Sequence, residues 1–140
     1  METALPRLLA MGMVIALLAT AACGPSVVGP EGKSWLLASY GDAAAPETPP
    51  AGVEASAEFV DGQMMGSAGC NAYFGAYETD GSDMAIGPVA ATEMWCESPE
   101  GAMDLEQAFL TAIGAAETFE VEDGELRIDY PGGVLTFTAR

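Results

Sequence analysis

Cysteine and carboxylate are the residue types here that could do chemistry, and histidine is missing. The 140-residue chain holds three Cys (Cys23, Cys70 and Cys96), 21 Asp or Glu, four Lys or Arg and no His. Without imidazole there is no Ser-His or Cys-His dyad to activate a nucleophile, no histidine metal ligand and no histidine pH switch. What remains for acid–base work is a carboxylate pair of the glycosidase kind, and no motif singles one out. The acid-rich stretches Glu78–Asp83 and Glu117–Asp129 carry the oxygens that Ca²⁺ prefers, but neither has EF-hand spacing, and both read as solvated turns and strand faces. No enzymatic activity, no metal and no cofactor is expected.

The net charge of -17 excludes further classes. Phosphate backbones are held by Lys and Arg, so nucleic-acid binding is not expected. An unaided grip on anionic lipid headgroups is not expected, for the same reason. The acidity favours solubility, suits a saline habitat, or steers the domain toward a basic protein.

Cys23 closes an N-terminal address. Arg7 precedes the uncharged run Leu8 to Ala22, which is too short for a permanent span and suits the apolar region of a secretory signal peptide. The run ends Thr20-Ala21-Ala22-Cys23-Gly24. Small residues before a Cys resemble the bacterial lipobox, although Thr20 stands where Leu is usual. The expectation is a signal peptide over 1–22, lipidation at Cys23, a flexible tether over 23–32 with Pro25 and Pro30, and a domain over 33–140. The alternative is an ordinary signal peptide cut near Ala22. Gly24 after the Cys resembles the outer-membrane sorting pattern. That pattern would place the protein on the outer membrane, facing the periplasm, held by several acyl chains, since stable anchoring needs more than one.

If Cys23 carries lipid, Cys70 and Cys96 remain as an even pair. In an oxidising compartment such a pair suggests a disulfide. The loop from 70 to 96 counts 27 residues. Two free thiols or a metal pair are the alternatives, the latter a poor zinc site without His.

The elements that must position these residues are mostly short strands. Lys33 to Tyr40 suits a first strand, Val53 to Phe59 a second, Gln63 to Ala68 a third and Asn71 to Glu78 a fourth. Asp83 to Ile86 and Val89 to Met94 follow. Asp61-Gly62, Asp80-Gly81 and Asp123-Gly124 read as hairpin turns. One helix is predicted over 99–116, capped by Ser98, with Pro99 in its first position and Ala102, Leu105, Phe109, Ala112, Ile113 and Ala116 on its apolar face. Strands at Thr118–Glu122, Leu126–Tyr130 and after Pro131-Gly132-Gly133 complete the order. The fold class is α+β, mostly β: a strongly bent or barrel-like antiparallel sheet with one covering helix.

Three stretches together resemble the META/HslJ-like domain family. They are Gly66-Ser67-Ala68-Gly69-Cys70-Asn71 with Tyr73, Gly75 and Tyr77; Ile86-Gly87-Pro88-Val89 leading to Thr92-Glu93-Met94-Trp95-Cys96; and Leu105-Glu106-Gln107-Ala108-Phe109-Leu110. Trp35-Leu36-Leu37 and the closing hairpin Leu126 to Phe137 also fit, so the resemblance covers about residues 33 to 139. Ala72 and Glu93 stand where the family often has basic residues, so no anionic ligand is expected there. The resemblance implies a compact, partly barrel-like fold, found in small bacterial lipoproteins or secreted proteins. Some members are linked to heat shock or motility, and no reaction is established for the domain.

The family-motif residues have structural readings of their own. Gly69 lets the backbone turn or approach closely. Asn71 can bond neighbouring backbone or adopt a left-handed conformation, and Thr92 can satisfy a backbone group near Cys96. For Asn71 and Thr92 a binding role is the alternative. In an extended segment Met94 and Trp95 face opposite ways, one toward the core and one toward solvent. Tyr73, Phe74, Tyr77 and Trp95 either line a cleft or fill the core. The expected protein is a monomeric envelope lipoprotein with an unknown envelope protein partner and a role in envelope stress. The alternative is a periplasmic inhibitor of a basic protein such as lysozyme, presenting acids on a protruding loop at Asp80 to Asp83.

Overall fold

In the computed structural model the described residues are Gly24 and 26–140. The predicted signal segment and Cys23 lie outside them. Nine strands and one helix follow in the order β1 (Ser34–Ser39), β2 (Ser56–Val60), β3 (Gln63–Ser67), β4 (Ala72–Asp80), β5 (Asp83–Ile86), β6 (Ala90–Ala91), α1 (Ala102–Gly114), β7 (Thr118–Glu122), β8 (Glu125–Tyr130) and β9 (Gly133–Ala139).

Period-two patterning makes the strands. In β4, Tyr73, Gly75 and Tyr77 are buried while Ala72, Phe74 and Ala76 are exposed, as a strand with one wet face requires. Tight turns connect the neighbours. Asp61-Gly62 and Asp123-Gly124 adopt positive φ at both residues, the requirement of a two-residue hairpin whose twist matches its strands. The sheet order is β3-β2-β1-β9-β8-β7-β5-β4, and β3 pairs back onto β4, closing an eight-stranded antiparallel barrel, with β6 as an additional strand on β4. The sheet predicted as bent or barrel-like is therefore closed, leaving no free edge among those eight strands. Its thinnest seam is β5–β7, which share one register pair, Asp83 with Thr118.

Trp35, Phe59, Met64, Leu135 and Phe137 fill the interior without solvent contact. Phe109 of α1 joins them, its ring centroid 5.3 Å from that of Tyr73 and 6.2 Å from that of Phe137, both edge-on, the geometry aromatic quadrupoles favour. The helix thereby seals the same core that the strands enclose.

Three details differ from the sequence reading. The helix begins at Ala102, with Gly101 as its N-cap and no side-chain cap, rather than at Pro99 under Ser98. Residues 98–101 form a turn laid on the loop before β2. An added Cβ at Gly101 would meet Pro50 at 2.8 Å, and one at Gly52 would touch Pro99 at 3.4 Å. Gly101 takes a φ of 85° to make the entry, and that close packing outweighs the local capping signal. Second, the strand predicted over Val89–Met94 shrinks to Ala90–Ala91, because beyond it the backbone of Met94 bonds to a side chain instead of a strand. Third, Pro30 and Glu31, at the end of the predicted tether, pack on the barrel. Trp35 donates its indole N–H to the Pro30 carbonyl at 2.7 Å, and Tyr77 donates its hydroxyl to Glu31.

Candidate functional site

The family-motif residues converge at one place, where the segment before β4, the segment after β6 and the first turns of α1 meet. Glu106 is the centre. Its carboxylate accepts the backbone N–H of Asn71 at 2.6 Å, the side-chain amide of Asn71 at 2.7 Å and the backbone N–H of Cys70 at 3.2 Å. Asn71 in turn reaches the ribbon after β6. Its Oδ1 accepts the Thr92 hydroxyl at 2.8 Å and the Met94 N–H at 2.7 Å, and its Nδ2 donates to the Met94 carbonyl at 3.0 Å. A carboxamide offers two donors and two acceptor lone pairs, and all four are used. Asn71 is 2 % exposed and Glu106 is 7 % exposed, so this satisfaction is what makes their burial tolerable.

A disulfide joins Cys70 to Cys96, with Cα atoms 5.9 Å apart. It brackets the same ribbon that Asn71 clamps. Gly69, with a φ of +119°, leads the chain in. A Cβ there would stand 3.2 Å from both the Ala102 carbonyl oxygen and Val53, so the approach of α1 to this corner depends on a missing side chain.

Thr92, read as satisfying a backbone group, donates instead to the Asn71 side chain, and Asn71 bonds the distant main chain of Met94. Glu106 is the residue to which the sequence reading assigned no role. Its signal was its position: a carboxylate four residues after Ala102 and three before Phe109, on the stripe that periodicity assigns to the core. Met94 and Trp95 depart from the expectation of one inward and one outward residue, since both are exposed, at 59 % and 75 %. Asn71 holds Met94 by its main chain, which leaves the side chain free of the core. Tyr73 and Tyr77 fill the interior, whereas Phe74 is exposed. Burial raises the phenol of Tyr73 far above its ordinary range. Burial, together with the bond to Glu31, pushes Tyr77 up to about 12. Asp80 and Asp83 pair across the tight end of the β4–β5 hairpin, so they sit on a short turn and not on a protruding loop. Among the described residues no group of three or more Cys, Asp or Glu converges as a metal site would need.

Against known families, the META domain matches residues 29–140. The chain belongs to the META domain family. No curated protein matches it. Among solved structures, the META chain is similar to an NMR structure of a protein from Burkholderia xenovorans, with 21% identity, a TM-score of 0.66, and coverage of 97% of this chain and 99% of that one. It is similar to a second NMR structure at 18% identity and a TM-score of 0.60, covering 80% of this chain and 95% of that one. It is also similar to the crystal structure of a DUF4847 family protein from Bacteroides vulgatus, at 16% identity and a TM-score of 0.53, covering 76% and 91%. At such identities the likeness is one of fold.

Two surface hollows of this META domain lie outside the motif network. One, of about 730 Å³, runs between the N-terminal segment at Val27–Val28 and strand β7. The other, of about 400 Å³, lies beside Trp95, between the disulfide and the start of α1, and is rimmed by Glu97, Glu100 and Asp104.

Proposed function

We propose that the protein is a non-enzymatic lipoprotein of the bacterial envelope, anchored to the outer membrane through Cys23, whose META domain is a binding module for another envelope protein. The observation that carries this reading is the Asn71–Glu106 network. The polar side chains of the family motif spend their hydrogen-bonding capacity on one another and on backbone, which supports a scaffold rather than a reaction centre. The lipobox-like Thr20-Ala21-Ala22-Cys23 supports the anchor. The resemblance to a family with heat-shock-linked members supports a role under envelope stress.

A second reading, a binder or inhibitor of a basic protein such as lysozyme, is favoured by charge. No Lys or Arg stands between Lys33 and Arg127 in a chain of net charge -17.

Intact mass of the protein extracted from the membrane fraction of an expressing bacterium, without reduction and after thiol alkylation, tests the first reading. The expected mass begins at a triacylated Cys23 and carries no alkyl groups. A soluble, unacylated chain would overturn the anchor, and with it the placement on the outer membrane.

A further inference from the structure

We infer that the exposed Met94–Trp95 ribbon is the docking element of this domain, and that its partner is a protein with a basic surface around an apolar pocket. The inference rests on the binding-module reading and names the surface and partner that reading leaves open.

Seven large hydrophobic side chains are exposed among the described residues: Val27, Val28, Val60, Met65, Phe74, Met94 and Trp95. Two of them are cross-strand neighbours beside the strand that leads into the ribbon. Met65 on β3 stands opposite Phe74 on β4, and Phe74 stands opposite Ala90 on β6. The chain then continues from β6 to Met94, pinned to Asn71, and to Trp95. Trp95 is the most exposed of the seven, at 75 %.

Rigidity separates this display from a loose loop. Both main-chain groups of Met94 are held by the Asn71 amide. The next residue but one, Cys96, is bonded to Cys70. The main chain is thus fixed on both sides of Trp95, so only the side chain is left to order on binding, a smaller loss than for a loose loop. Tryptophan in a central, desolvated pocket is among the strongest interface anchors.

Charge selects the partner. Glu93 precedes Trp95 in sequence, Glu97, Glu100 and Asp104 share the adjacent hollow with it, and no Lys or Arg lines that hollow. A second copy would bring the same acidic rim against this one, and anionic headgroups would be repelled. A cationic protein face meets both the rim and the apolar centre.

The test places the photo-crosslinking residue p-benzoylphenylalanine at position 95, and separately at 80 and 122, in the full-length protein expressed in its bacterium. Adducts are identified by mass, and the captured protein is purified and titrated against the wild-type domain and Trp95→Ala. The expected result is an adduct from position 95 with a protein of net positive charge, and affinity that falls with added salt. Trp95→Ala should bind roughly 30-fold more weakly. Its melting temperature should not change, because the side chain leaves the core untouched. Protein adducts from position 80 or 122 alone would overturn the docking surface while sparing the binding-module reading. Adducts from 95 with lipid or a second copy alone, or unchanged affinity in Trp95→Ala, would also overturn it. No protein adduct from any position would overturn both.

Discussion

Glu106 on the helix and Asn71 at the start of β4 are joined twice, by the backbone N–H of Asn71 at 2.6 Å and by its side-chain amide at 2.7 Å. Because Asn71 also holds the main chain of Met94, one carboxylate ties three distant segments together. Removing it should therefore cost more than a single contact. Glu106→Ala strands two backbone N–H groups and one amide N–H in a buried site, and each buried, unsatisfied donor costs about 1–3 kcal/mol. The expected loss is about 3–5 kcal/mol in urea denaturation. Glu106→Gln, which keeps one acceptor oxygen, should lose less. Equal stability of Glu106→Ala and wild type would show that the network is ornamental.

The disulfide closes a loop whose ends are separated by 26 positions. Chain entropy assigns such a loop roughly 3.5 kcal/mol. Cys70→Ala/Cys96→Ala is expected to unfold at lower urea with a far-UV spectrum like that of wild type, because the Asn71 bonds still hold the corner. A spectrum lacking the barrel's β signal would mean that the bridge is needed to form the fold.

Gly66 tests the closeness of β2 and β3. An added Cβ would fall on the Ser56 carbonyl, the same oxygen that accepts the Tyr73 hydroxyl at 2.8 Å. Backbone must move, so Gly66→Ala should cost more than about 2 kcal/mol. Gly24→Ala, where nothing lies within 4 Å, is the control and should be neutral.

Alkaline stability should follow the tyrosines. The fold raises Tyr77, first by burial and then by its bond to Glu31, to about 12, and burial raises Tyr73 further. The unfolded chain releases these protons near pH 10. Stability is then fully present below pH 10 and falls as the pH climbs toward 12, by about 1.4 kcal/mol per pH unit for each tyrosine. Urea midpoints at successive pH values measure the slope. Tyr77→Phe should make the decline between pH 10 and 12 shallower, and an unchanged slope would remove Tyr77 from the explanation.

Much of this was legible in the chain itself. Short apolar stretches between turns mark nine strands, most plainly where apolar and polar residues alternate, as in Val53–Phe59 and Leu126–Tyr130, because a strand exposes its faces with period two and the pattern survives any later packing. Asp-Gly pairs mark two hairpins, at Asp61-Gly62 and Asp123-Gly124, for a local reason, the positive φ that such turns need, whereas the turn expected at Asp80-Gly81 falls one residue later, on Gly81-Ser82, because Asp80 still pairs with Asp83. The five family pieces mark the domain, and the even cysteine pair pointed to the bridge. Local signals failed where distant chain competed with them. Ser98-Pro99 carries the marks of a helix start, but packing against Pro50 and Gly52 moves the start to Ala102. Met94 and Trp95 look like one core and one surface residue, but Asn71 claims the Met94 backbone and leaves both side chains in water. Glu106 is an ordinary acid in the sequence. Only closure of the barrel and docking of the helix bring it to Cys70 and Asn71, 35 and more residues away, where its oxygens have donors and its burial becomes tolerable. Composition and periodicity set which elements form. Tertiary structure decides which polar groups lose water together, and therefore which residues hold the fold and which, like Trp95, remain free to meet a partner.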